Sequence, residues 1–270
     1  MPAKPFVLLA ALAALAVLAQ VPARFASTPA TVAITPRMHA PMKLHGTPAR
    51  NGKVNSGNWS GYVVTGSSFT YAKGSWIMPS VNCTKTPNTY AGFWVGIDGY
   101  DSTTVEQTGI AAQCSGKTPQ YYAWYEFFPK NPVTITSVPV SPGNKISTEV
   151  SFAASKFTIK FTDETTGKSF TTTGTVAGAL RNSAEWIAEA PTSITGVLPL
   201  ADFGTGSFGD DYTSVTDTNW ASDSAVTGPI SDFGKNIVEI TMVSDTEVTE
   251  AVPTALTTDG SSFKVAWKAE

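Results

Sequence analysis

The chain has 270 residues, of which only 14% are Asp, Glu, Lys or Arg, against the roughly 25% of ordinary domains. Its formal charge of −3 hides an asymmetry: no acidic residue precedes Asp98, and six of the 18 basic residues fall within the first 56 positions. The remainder carries 12 basic against 21 acidic residues, a net of −9, and such a surface excludes nucleic acid and anionic membranes as partners.

In chain order, Lys4 precedes an unbroken apolar run from Phe6 to Ala19, and small residues follow at Ala23 and Ala26. That order predicts a secretory signal over 1–26, with the cleavage bond open among Ala19, Ala23 and Ala26. The run falls short of the ~20 residues needed to span a bilayer, so the protein is expected to be secreted and extracellular, with no stable membrane association. Segment 27–56 is rich in Pro, Ala and Thr and carries Arg37, Lys43, Arg50 and Lys53 without an acid. It has too little apolar periodicity for a core and reads as a basic propeptide, or more plainly as a disordered leader. Both histidines, His39 and His45, lie in it. The mature part, 57–270, is therefore expected to work without imidazole.

From 57 onward the chain reads as one β domain. Phe157, Ile159 and Phe161 alternate with Thr158, Lys160 and Thr162, a turn follows at 163–167, and Ser169 to Thr173 returns, which is a hairpin signal. Residues 236–243 and the Phe263, Val265, Trp267 set repeat the period of two, and no segment has helical periodicity. Many short strands in one domain predict an all-β, two-sheet antiparallel sandwich. Cys83 and Cys114 are expected to pair in an exported protein, closing a loop that holds Asp98 and Gln107 and adding about 3 to 4 kcal/mol of stability. Nothing demands more than a monomer.

Without imidazole, a Ser-His-Asp or Cys-His nucleophile and a His-based zinc site drop out. There is no Gly-rich phosphate loop, so no cofactor and no metal is expected. Carboxylates, amides and tyrosines remain. Extended backbone through Asn182 to Ala190 puts Glu185, Ile187 and Glu189 on one face. Spacing alone favours two solvated acids on an exposed strand; a concave surface would instead desolvate Glu185 into an acid or base. Gln107 has an amide that can donate to a developing oxyanion at any pH.

FWVGIDG at 93–99, EQTG at 106–109, AWYEFFP at 123–129 and NSAEWIAEA at 182–190 follow NWSG at 58–61 and Pro79, and ADFG at 201–204 continues the series. In this order they resemble the glutamic peptidases, or eqolisins. The resemblance implies two bent antiparallel sheets of concanavalin A-like, legume-lectin-like architecture with a cleft on a concave face. It implies a dyad of Gln107 and Glu185: the glutamate activates a water, the glutamine stabilises the oxyanion, and no acyl-enzyme forms. It also implies a secreted endopeptidase that acts on polypeptides in acid and is held as a zymogen by its own propeptide. Trp94, Asp98, Trp124 and Glu126 match supporting positions.

Two departures stand out: Ala111 replaces an acid of the familiar pattern, and Phe127 and Phe128 end AWYEFFP. The competing readings are a lectin-like glycoside hydrolase with Glu126 and Glu185 as acid and nucleophile, and a carbohydrate-binding module using the same aromatics. Sequons occur at Asn58 and Asn82, with Asn58 expected to stay unmodified. Asp210 and Asp211 read as a solvated turn.

Overall fold

The structure is a computed structural model and describes residues 1–2, 38–46 and 52–270. The architecture below belongs to the unit Thr35–Glu270. The expected signal segment and the stretch 47–51 lie largely or wholly outside the described residues.

The strands are β1 (Leu44–His45), β2 (Lys53–Ser56), β3 (Trp59–Thr65), β4 (Tyr71–Ile77), β5 (Tyr90–Ile97), β6 (Val105–Ser115), β7 (Thr118–Phe128), β8 (Val133–Ile135), β9 (Lys145–Ala153), β10 (Lys156–Asp163), β11 (Lys168–Gly174) and β12 (Ser183–Glu189). Shorter pieces follow: β13 (Thr192–Ser193), β14 (Gly196–Val197), β15 (Thr205–Phe208), β16 (Trp220–Ser222), β17 (Thr227–Pro229), β18 (Ile237–Val243), β19 (Thr249–Pro253) and β20 (Phe263–Trp267).

One layer runs laterally β1, β2, β18, β3, β12, β5, β6, β7, β8. The other runs β11, β10, β9, β4, then β15, β20, β19. Strand β18 also pairs with β19 across a register shift at Met242/Val243, so the ladder turns a corner there and the sheet nearly closes. Every named pairing is antiparallel except β2 with β18. The expected all-β sandwich is therefore present.

The main core between the layers contains Trp76, Phe93, Phe157, Phe161, Trp186, Phe208 and Phe263, all fully buried. In β10 the Phe157, Ile159 and Phe161 set is buried and its alternating partners are not, as period two requires. Strand β12 differs, for all seven residues are buried. Its even positions enter the main core, while Ile187 belongs to a second apolar cluster on the opposite face with Trp59, Val63, Trp94, Ala111 and Trp124. Glu185 and Glu189 share that second face and are fully buried, which overturns the expectation of two solvated acids.

Cys83 and Cys114 are bonded. Part of segment 27–56 is ordered, contrary to the plainer expectation: Leu44–His45 pairs with β2, β2 pairs with β18, and His39 and Val54 are buried. A core side chain every second residue in Lys53–Ser56 is enough to join a sheet that already has an open edge. Among the described residues, helix is confined to a four-residue turn, Asp210–Thr213, and a 3-10 segment, Ile230–Asn236. Asp211 is exposed there and Asp210 partly buried. Asn58 is fully buried. Among the described residues no helix is long and apolar enough to cross a membrane.

Candidate active site

Four neighbouring strands, β12, β5, β6 and β7, set out the site in rows. Glu185, Gly96, Gln107 and Glu126 stand directly opposite one another, then Ile187, Trp94, Gly109 and Trp124, then Glu189, Gly92, Ala111 and Tyr122. Directly opposed residues of antiparallel strands project to one face. All three rows therefore line the outer face of the first layer, next to Trp59, which is paired with Glu189 from β3.

The glycines in these rows keep the floor low. A Cβ on Gly109 would lie 2.1 Å from the Phe93 carbonyl oxygen, and one on Gly92 would lie 3.0 Å from the imidazole of His39. That histidine occupies the middle of the site.

Gln107 Nε2 donates to the His39 carbonyl oxygen at 2.5 Å and to Glu126 Oε2 at 3.0 Å. The same Glu126 oxygen accepts the His39 backbone N–H at 3.0 Å. On the other side, His39 Nδ1 lies 2.5 Å from Glu189 Oε2, which also accepts the Trp94 indole N–H at 2.9 Å. The imidazole stacks on Trp124 with centroids 3.5 Å apart and planes 3° from parallel.

Flanking contacts hold the segment extended. Met38 and Thr192 exchange two backbone hydrogen bonds. Asn58 Nδ2 donates to the carbonyls of Ala40 and Pro41, and the Trp59 indole donates to Ala40. The NWSG motif thus binds backbone of segment 38–46.

Burial dominates the electrostatics. It pushes the Glu189 carboxyl well above the usual carboxylate range, with the Trp94 and Trp59 indoles offsetting part of the rise. Glu126 is raised for the same reason and further by the charge of Glu189, against the opposing pull of the His39 N–H and the Gln107 amide. His39 itself is 3% exposed.

A second group of carboxyls lies apart from His39. Asp98 accepts from the backbone N–H groups of Arg181 and Asn182, at 2.8 and 3.0 Å, and so clamps the entry to β12. Glu185 is fully buried, with the Ser183 side chain offsetting part of the cost of its charge. Burial raises its pKa well above normal, and nearby Asp98 and Glu106 add to the rise. Glu106 is pushed up to about 9, by burial first and then by Asp98.

Of the residues expected from sequence, Gln107, Glu126, Trp94 and Trp124 surround His39, whereas Asp98 and Glu185 stand with Glu106. Glu185 shares a lateral row with Gln107, but Gly96 stands between them. Of the two β12 glutamates, the one that touches the His39 segment is Glu189. Period two put both glutamates on one face and offered no means of choosing between them; the indole of Trp94 makes the choice visible. His39 was missed because its segment carried no core pattern. Of the two departures, Ala111 lies in the row of Glu189, and Phe128 packs against the outer cluster.

Comparison with known proteins bears on the family and the fold. The model of the peptidase A4 family matches residues 57–252. Aspergillopepsin-2 of Aspergillus niger is 33% identical over 210 residues, covering 68% of this chain and 73% of that protein. The solved structure of scytalido-glutamic peptidase with a transition-state analogue has a TM-score of 0.65 at 21% identity, covering 78% of this chain and 98% of that one. Aspergilloglutamic peptidase from Aspergillus niger has a TM-score of 0.56 at 28% identity, covering 67% of this chain and 99% of that one. The chain belongs to the peptidase A4 family and is a glutamic endopeptidase.

Proposed function

We propose that this endopeptidase is secreted, works in acid as a monomer, and hydrolyses polypeptides with Gln107 and Glu189 acting on a water. Glu189 takes the part that the sequence resemblance assigned to Glu185. One observation carries the reading: a peptide carbonyl, that of His39, accepts from the Gln107 amide, while Glu189 reaches the same residue.

In this mechanism Glu189 removes a proton from water as the water attacks the scissile carbonyl. The Gln107 amide donates to the oxygen on which charge develops, and Glu189 returns the proton to the leaving nitrogen. Glu126 fixes the rotamer of Gln107 through the 3.0 Å contact, and the Trp94 indole fixes Glu189. No nucleophilic side chain lies in the contact set, so no acyl-enzyme forms. With the leader seated, Glu189 is shut off from solvent and its proton is held tightly. Removal of the leader admits water, lowers that pKa, and gives a base that ionises in acid.

The leader acts as the enzyme's own inhibitor, since it fills the positions that a substrate needs. A sugar-directed site with Glu126 and Glu185 as the pair is less well supported, because Glu185 is fully buried beside Asp98 and Glu106. The test is digestion of a denatured protein at about pH 4 and about pH 7 by the leader-free enzyme and its Gln107→Ala and Glu189→Gln variants. Acid-dependent digestion that both substitutions abolish is expected; undiminished digestion by either variant would overturn the dyad.

A further inference from the structure

The outer face of the second layer carries a set of side chains that takes no part in the cleft. Ala72, Val150, Ile159 and Ala221 turn into the main core, so their neighbours on β4, β9, β10 and β16 project the other way. Opposed residues there form a row of Trp220, Lys73, Glu149, Lys160 and Thr171. Tyr71, Ser151 and Thr158 form the next row. All eight are half-buried or exposed.

The two aromatics are placed unlike the others. Of the seven tryptophans, Trp220 alone joins neither apolar cluster of the described residues, and Tyr71 joins neither. Tyr71 pairs with Ser222 and Lys73 with Trp220, so the aromatics are diagonal neighbours, about 7 to 8 Å apart in such a ladder. Each ring offers a flat apolar surface with a polar edge.

The charge of this face also departs from that of the domain. Lys160 is about half exposed, 48%, and lies 3.6 Å from Glu149; Lys73 donates to the Thr216 carbonyl at 3.0 Å. Lys156 is exposed and shares the parity of Thr158 and Lys160. Burial first, then Glu149 and Asp217, push the Tyr71 hydroxyl up to about 12, which places both carboxylates beside that ring and keeps the hydroxyl a donor. Three lysines against two carboxylates give the patch +1, whereas residues 57–270 as a whole carry −9. Glu164, which accepts from Ser147, and Lys145 border it on the far side.

We propose that this face is a second binding site, separate from the peptide cleft, for a polysaccharide that bears carboxylates. Trp220 and Tyr71 stack on sugar rings, Lys73, Lys156 and Lys160 meet the carboxylates, and the hydroxyls of Ser151, Thr158 and Thr171 bond to those of the sugar. Glu149 competes with the ligand for Lys160. Because the site lies on the layer opposite Gln107 and Glu189, a bound polymer leaves the cleft accessible and holds the enzyme where such a polymer accumulates.

The experiment measures equilibrium binding of the purified full chain to a surface coated with polygalacturonate, beside one coated with neutral dextran, at about pH 5, where lysines are charged and carboxylates largely ionised. Saturable binding to polygalacturonate alone is expected, and high salt should weaken it. Trp220→Ala should weaken it about tenfold and Lys160→Gln about threefold, while Glu149→Gln should tighten it. Lys160 and Glu149 are surface groups, so their variants test the site independently of any folding defect in Trp220→Ala. Cleavage of a soluble peptide by the leader-free forms of the three variants should stay at the wild-type rate. Absence of binding, or binding that none of the three substitutions alters, would overturn the site. Equal binding to dextran would overturn the acidic class of ligand, and a loss of cleavage in parallel with binding would overturn its separation from the cleft.

Discussion

The imidazole of His39 stands 2.5 Å from the carboxylate of Glu189, two groups 150 residues apart in the chain. Of the two same-face glutamates of β12, Glu189 is therefore the one that reaches segment 38–46. Under the function proposed above, latency and chemistry would share this one carboxylate.

Glu189→Gln keeps the side chain's size and its capacity to accept from Trp94 but cannot accept a proton. Loss of about 10³-fold in kcat is expected, measured on a quenched peptide substrate with leader-free enzyme. Glu185→Gln should keep most of the activity, since the charges beside Glu185 are those of Asp98 and Glu106. Equal losses in the two variants would return the base assignment to an open question.

Glu126→Ala removes the acceptor that holds Gln107 Nε2 at 3.0 Å. A loosened amide misplaces the oxyanion donor, and a fall of about 10²-fold in kcat is expected with KM little changed. A rise in KM at constant kcat would mean that Glu126 serves substrate binding through the backbone N–H contact seen with His39 instead.

Stability should fall as pH rises from acid toward alkali. Glu106, with a folded pKa of about 9, and Glu185, raised well above the usual range, both favour the protonated form in the folded state. Their contribution is complete below about pH 4.5 and is lost as pH climbs through the folded values. Glu106 alone should account for about 3 kcal/mol lost by pH 7. Urea unfolding across this range measures it, and Glu106→Gln should flatten the slope.

Gly109→Ala would place a Cβ 2.1 Å from the Phe93 carbonyl, a backbone atom that cannot swing aside. Separation of β5 from β6 is expected, at a cost of about 3 kcal/mol or more. Thermal unfolding of the variant gives the value, and an unchanged midpoint would contradict the close packing of these strands.

The strands were legible in the sequence because their signal is local. Phe157, Ile159 and Phe161 alternate over five residues and the chain turns at once, so no distant contact is needed to place them. The same holds for the face shared by Glu185 and Glu189, which needs only an extended backbone. Gln107, Trp94, Trp124 and Glu126 were found through ordered motifs rather than through periodicity.

Which acid meets the amide was decided elsewhere. Sequence alone determined an all-β chain with a disulfide, a histidine-poor domain and a face bearing two glutamates, because alternation, cysteine count and residue type are properties of short stretches. Only the tertiary structure decided that Glu189 rather than Glu185 reaches the bound peptide, and that His39 belongs to the site at all. Those facts depend on the lateral order of β12, β5, β6 and β7 and on a leader segment 68 residues before Gln107. The order of strands in a sheet is settled by burial of whole faces and by hydrogen bonding between distant segments, neither of which leaves a mark on the spacing of neighbouring residues.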